Sequence, residues 1–193
     1  MAEPRILGDL PIIDGVTKAF AELRANTLVA LGDRPHALVA VTSPNHTEPR
    51  RHVAAHLATA ISQTSRRVLL VDADIDGEPT SDRHQNLSKS DAHVVSDSLS
   101  VVTSQAVAMN DSGLLSSQAS LSELRDQTAQ YDILILATPS VLNVPDTRVL
   151  ASIADGTLIV VTHGKSDRED SVRASLILRH TNTNLLGAVV VKD

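Results

Sequence analysis

Two short, unbroken aliphatic runs bracket an amphipathic stretch early in the chain, and this arrangement limits the fold more than any other feature. Ala37-Leu38-Val39-Ala40-Val41-Thr42 shows no polar alternation and runs into Ser43-Pro44-Asn45. An apolar run of that length, closed by turn residues, fits a strand buried on both faces. Val53, Ala54, Leu57, Ala58 and Ile61 then recur at helical spacing between Pro49 and Gln63, and Arg67-Val68-Leu69-Leu70-Val71-Asp72 reads as a second buried strand. Strand, loop, helix, strand is a βαβ unit, whose crossover makes the strands parallel.

The alternation continues. Strands are expected at Ile133–Leu136, Leu158–Val161 and Leu186–Val191, separated by helical stretches near Ser120–Gln130, Pro145–Ile153 and Asp167–Arg179. An opening helix from Val16 to Leu31 is expected to pack on the sheet edge. The fold class is therefore α/β, a doubly wound, mostly parallel sheet flanked by helices. At 193 residues the chain suits a single domain over 1–193. Residues 75–98 turn polar and are expected to form a mobile surface excursion.

Composition narrows the function classes. A formal charge of -6, with one Phe, one Tyr and no Trp, offers neither the positive field nor the stacking surface for nucleic acid. Zero cysteines removes disulfides, thiolate metal sites and cysteine nucleophiles, and fits a cytoplasmic domain. No apolar run is long enough to span a bilayer and no signal-peptide pattern opens the chain, so direct membrane insertion is not expected.

Four segments in order resemble the bacterial tyrosine kinases that accompany capsule and exopolysaccharide export, a branch of the P-loop ATPases that includes the Min and Par proteins. They are the entry helix Lys18–Asn26, the apolar strand ending in Asp72-Ala73-Asp74, the strand Tyr131–Pro139, and Val144-Pro145-Asp146 with Ala151–Gly156 beyond it. The resemblance implies a P-loop-ATPase-like three-layer fold with a nucleotide site at the Pro44–His52 loop.

Against that family's pattern the loop departs at nearly every chemical position. A phosphate-binding loop needs glycines so that backbone N–H groups can curl round phosphates, a Lys for the β and γ phosphates, and a hydroxyl for Mg²⁺. Thr47 and Pro49 stand where glycines belong, on either side of Glu48; Arg50 replaces the Lys, and Arg51 and His52 the hydroxyl residues. Pro49 removes a donor and fixes φ, and Arg51 places a cation beside the expected metal. Ala137 replaces the carboxylate that would orient Mg²⁺ through its water shell. Asp72 and Asp74, the acidic motif, are retained, while the basic pair that commonly follows becomes Asp76-Gly77-Glu78. Of the family's oligomerisation pattern, whose counterparts are Lys18, Ala21 and Arg24, only Arg24 matches and is the candidate for self-association. The tyrosine-rich tail of the family is expected to be missing, and Tyr131 is expected to pack at a strand entrance.

The expectation is a protein that is not an enzyme: a pseudokinase without Mg-ATP, acting as a scaffold or regulatory partner in cell-envelope polysaccharide synthesis or export. Its partner would be a membrane polysaccharide co-polymerase or an active sister kinase, placing it in the cytoplasm at the inner face of the membrane. Two alternatives stand beside it: an active ATPase or tyrosine kinase with an atypical loop using Asp72, Asp74 and Arg50, and a Min- or Par-like spatial regulator. Arg50, Arg51 and His52 at a helix start form a candidate anion site; the plainer reading is a surface helix start, with Thr47 or Glu48 near the cap and Pro49 in the first turn. His52 and His56, with His46, have the spacing of a metal pair, but without a fixed third ligand no metal is expected.

Overall fold

The computed structural model describes residues 18–73, 92–102 and 129–192. Helix α1 (Lys18–Leu31) is followed by β1 (Ala37–Thr42), α2 (Arg50–Ser62) and β2 (Val68–Asp72), then β3 (His93–Ser96), β4 (Leu99–Val102) and β5 (Ile133–Ala137). Helix α3 (Asp146–Ile153), β6 (Gly156–Thr162), α4 (Arg168–His180) and β7 (Leu185–Val191) complete it. The strands form one seven-stranded sheet in the order β3-β4-β2-β5-β1-β6-β7. Every pairing is parallel except β3 with β4.

The aliphatic runs become the centre of that sheet because they have no polar face to show to water. All residues of β1, β2 and β5 are buried. Their side chains divide between the two faces: Val39, Val41, Leu70 and Ile135 enter the cluster with Val53, Leu57 and Ile61 of α2, against which Phe20 and Leu23 of α1 pack. Leu38, Leu69, Leu134 and Leu136 meet Leu150 of α3 on the other side, and Ile159 meets Ala174 and Leu178 of α4. Helices thus cover both faces, as the alternation requires. Helix α1 ends at Gly32, whose φ of 64° and N–H to the Leu28 carbonyl at 3.0 Å make the left-handed close.

The polar stretch requires a correction. Within residues 75–98, expected as a loop excursion, His93–Ser96 forms β3, fully exposed and antiparallel to buried β4. Two valines between His93 and Ser96 give too little pattern to reveal a strand; its neighbour β4 supplies the hydrogen bonds. The helix expected over 120–130 lies outside the described residues except for 129 and 130, which form a turn. Tyr131 packs, partly buried, against the second core cluster at the entrance to β5.

An ion pair ties the entrances of β2 and β5. Arg67 donates from its backbone N–H to Asp132 Oδ2 at 2.8 Å and from Nη2 to Oδ1 at 2.9 Å. These side-chain and backbone hydrogen bonds hold the Asp132 carboxyl below its ordinary value. Because the folded value is the lower one, the stabilisation is present above the unfolded carboxyl's value and is lost as pH falls through the folded one. The Asp132 side chain is 36% exposed, so solvent screening keeps the contribution to about 1 kcal/mol or less. Asp132→Asn is expected to lower stability by that amount near neutrality and to flatten the acid limb below about pH 4; urea melts across about pH 2.5–7 with an unchanged acid limb would rule the pair out as its source.

Candidate functional site

Parallel strands send their following loops to one edge, and ligands in such sheets bind outside the carboxyl ends of the strands. At that edge β1 delivers Ser43 to Arg50, β2 delivers Asp72, β5 delivers Ala137 and Thr138, and β6 delivers Ser166. Register fixes the neighbours: Val41 and Asp72 both pair with Ala137. Ala137 is 2% exposed, and its methyl group lies in the row between β1 and β2.

Arg50 occupies the middle of the site rather than its surface. It is 1% exposed. Its Nε donates to the Thr138 carbonyl at 3.0 Å, and one terminal nitrogen approaches Ser43 Oγ and the Asn45 carbonyl, each at 3.4 Å. Arg51, next on the helix, forms an ion pair with Asp72, whose side chain is 3% exposed. The cation at the position expected for a metal-binding hydroxyl therefore engages Asp72 of the retained acidic motif.

Glu48 closes the loop. Buried at 5% exposure, it accepts the Asn45 N–H at 3.1 Å through Oε2 and the Ser166 hydroxyl at 3.0 Å through Oε1. Ser166 Oγ in turn accepts from the Thr162 N–H at 2.7 Å, and Asn45 Nδ2 donates to Asp170 at 2.8 Å. The β1–α2 loop is thereby fastened to the first turn of α4.

The two helix starts at this edge differ. Helix α4 begins on Asp167, whose carboxylate accepts from the N–H groups of Glu169 and Asp170 at 2.7 and 3.1 Å. Helix α2 begins on Pro49 with no side-chain cap and no acid in its first turn. The expected start is corrected accordingly: Pro49 is itself the N-cap, Thr47 is exposed, and Glu48 turns back into the loop instead of capping α2. Arg50 is not a residue of a surface helix start, because the Thr138 carbonyl draws its guanidinium inward. That carbonyl is far away in sequence, and no local signal announces it.

The other candidates are dispersed. His46 and His52 are exposed. His56 lies against Phe20, ring centroids 4.8 Å apart and 18° from parallel, with Nδ1 2.8 Å from the His52 carbonyl oxygen. Among the described residues no group of three His, Cys, Asp or Glu is placed to hold a metal. Lys165 and Arg168 are exposed. Arg24 donates to the Ala60 carbonyl at 3.1 Å, joining α1 to α2 within the chain. Asp74 and the 76–78 segment lie outside the described residues. No helix among the described residues is long and apolar enough to cross a membrane.

No protein-family model matches the chain. Among curated proteins it is 30% identical over 206 residues to the tyrosine-protein kinase YwqD of Bacillus subtilis, covering 98% of this chain and 83% of that protein. It is 29% identical over 192 residues to the putative tyrosine-protein kinase EpsB of Ralstonia nicotianae, covering 91% of this chain but 25% of EpsB, so it spans about a quarter of that protein's length. Of solved structures, the kinase domain of Escherichia coli tyrosine kinase ETK aligns with a TM-score of 0.79 at 22% identity, over 97% of this chain and 80% of that one. The MinD cell division protein of Aquifex aeolicus aligns at 0.60 with 18% identity, over 81% and 68%. The structural matches establish a shared fold. The sequence matches correct the expectation that the chain is not an enzyme, since the relatives it follows over nearly its whole length are named tyrosine-protein kinases.

Proposed function

Because the chain belongs to the bacterial tyrosine-kinase family of capsule and exopolysaccharide systems, we propose that it serves as a regulatory or scaffold partner in cell-envelope polysaccharide synthesis or export, its nucleotide site closed by its own side chains. The observation that carries this reading is the buried Arg50 guanidinium, held by Thr138, Ser43 and Asn45 where relatives of this fold hold phosphate. Pro49, Arg51 and Ala137 act in the same direction, because each removes a different contribution to Mg-ATP: a backbone donor, the metal's hydroxyl and the metal's second acid. The partner in this proposal is a membrane polysaccharide co-polymerase or a sister kinase, met at the cytoplasmic face of the membrane.

Isothermal titration with ATP and Mg²⁺ tests the closed site. Magnesium-dependent binding is expected to be weaker than about 1 mM, and tight magnesium-dependent binding would overturn the reading. Partnership is tested by affinity capture from the native cell, where recovery of neither a co-polymerase nor a sister kinase removes the scaffold role. A second reading, phosphoryl transfer through an atypical loop, is favoured by the relatives' names and by the retained Asp72. Its mark is phosphate release that disappears in Asp72→Ala.

A further inference from the structure

A phosphate-binding loop turns N–H groups inward, whereas the loop from Ser43 to Arg50 turns two of its oxygens toward a cation. The Asn45 N–H is taken by Glu48, while the Asn45 carbonyl and the Ser43 hydroxyl face the guanidinium of Arg50. The Thr138 carbonyl adds to the lining at the end of β5, accepting from Arg50 Nε. Ser43 and Thr138 are fully buried, so their oxygens are withdrawn from water; the Ser43 hydroxyl donates to the Asn45 carbonyl at 2.5 Å, and the Thr138 carbonyl takes its donor from Arg50.

The position of Arg50 makes this lining necessary. A cation in the first turn of a helix faces the positive end of the helix dipole, which disfavours it. Burial adds a desolvation cost that only well-placed acceptors offset. A planar guanidinium suits the arrangement, because its fork presents donors in several in-plane directions at once, whereas an ammonium offers a single point charge. The two contacts at 3.4 Å are long for hydrogen bonds and the Nε contact at 3.0 Å is ordinary, so the Thr138 carbonyl anchors the group and the loop oxygens wrap it.

We propose that the Ser43–Arg50 loop together with Thr138 is a guanidinium-binding cradle, an inverted phosphate loop whose resident ligand is the chain's own Arg50. This goes beyond the closed-site reading, which states only that Mg-ATP is not held; the cradle states which chemistry the loop prefers. It makes the site selective for a planar cation over an anion, and it makes Arg50, beside Glu48, a side chain on which loop order depends.

Chemical rescue tests it on the full chain. Thermal unfolding of the natural protein and of Arg50→Ala is followed with methylguanidinium, methylammonium or inorganic phosphate, each at about 10 mM, below the range in which guanidinium salts denature. Arg50→Ala is expected to melt several degrees lower, and methylguanidinium is expected to recover part of that loss while leaving the natural protein unchanged. Methylammonium and phosphate are expected to recover less. If Arg50→Ala does not fold alone, folding on addition of methylguanidinium supports the cradle. If it folds under no condition, the comparison passes to Arg50→Lys and Arg50→Met: both melting well below the natural protein supports the proposal, and Arg50→Lys or Arg50→Met matching the natural protein overturns it. Phosphate matching or exceeding methylguanidinium on folded Arg50→Ala, or no effect of methylguanidinium there, also overturns it. The closed-site reading fails on a different measurement, tight binding of Mg-ATP by the natural chain, so the two failures are distinguishable.

Discussion

Glu48→Ala is expected to destabilise the protein by about 2–3 kcal/mol, and Glu48→Gln by roughly half as much, with both losses read from urea unfolding. The carboxylate is buried and accepts two hydrogen bonds, one from the Asn45 backbone and one from Ser166. Hydrogen bonds to a charged acceptor contribute about 1.5–3 kcal/mol each, and the two share one group, so they do not simply add. Alanine leaves the Asn45 N–H without this acceptor and removes the strap from the loop to the β6–α4 turn. Glutamine retains an acceptor oxygen for one of the two donors. The effect is also expected to be local: amide exchange should accelerate across the β1–α2 loop and the first turn of α4, while β1, β2 and β5 keep their protection. A loss below about 0.5 kcal/mol, within the range of an ordinary surface substitution, would mean that Glu48 does not fasten the loop.

Glu48 also marks the limit of what the sequence makes legible. The central strands follow from their composition, because Ala37–Thr42, Val68–Asp72 and Ile133–Ala137 lack any polar face and must be covered on both sides. Their helices follow from apolar spacing, and the observed ends of α2, α3 and α4 fall within a residue or so of the expected ones. Strand β3 does not follow, since His93–Ser96 is exposed at every position and is held by pairing with β4 instead of by burial. Pattern reading detects burial, not pairing.

The candidate site divides in a similar way. Positions read against a family pattern, such as Pro49 and Ala137, are visible in the sequence because a chemical requirement goes unmet there. What fills the place is not. Arg50 takes its acceptor from β5, Glu48 takes a donor from the turn after β6, and Arg51 takes its acid from β2. All three contacts cross between separate βα units, which only the fold brings to one edge. A residue that departs from a loop's family pattern is therefore easier to read than the interaction that it makes instead.

If the site is closed by these replacements and by nothing else, reversing them together should reopen it. The combination Thr47→Gly, Pro49→Gly, Arg50→Lys, Arg51→Ser and Ala137→Asp is expected to bind ATP at least about 100-fold more tightly than the natural chain, and only with Mg²⁺. The glycines return backbone N–H donors and conformational freedom to the loop. Lysine leaves the fork-shaped space partly empty and supplies a point charge for phosphate. Serine releases Asp72 from its cation and offers a hydroxyl to the metal. The carboxylate introduced by Ala137→Asp would then sit beside Asp72, since Ala137 and Asp72 pair in register. Ala137→Asp alone sharpens the test: a second carboxylate at a position now 2% exposed, with Arg51 still in place, should destabilise the fold by several kcal/mol, and Mg²⁺ should relieve little of it. In the full combination the same two acids should make stability rise with Mg²⁺, because the metal supplies the charge that Arg51 supplies in the natural chain. Binding that improves without magnesium would show that the loop alone was responsible; binding that does not improve at all would show that the site is closed by more than these side chains.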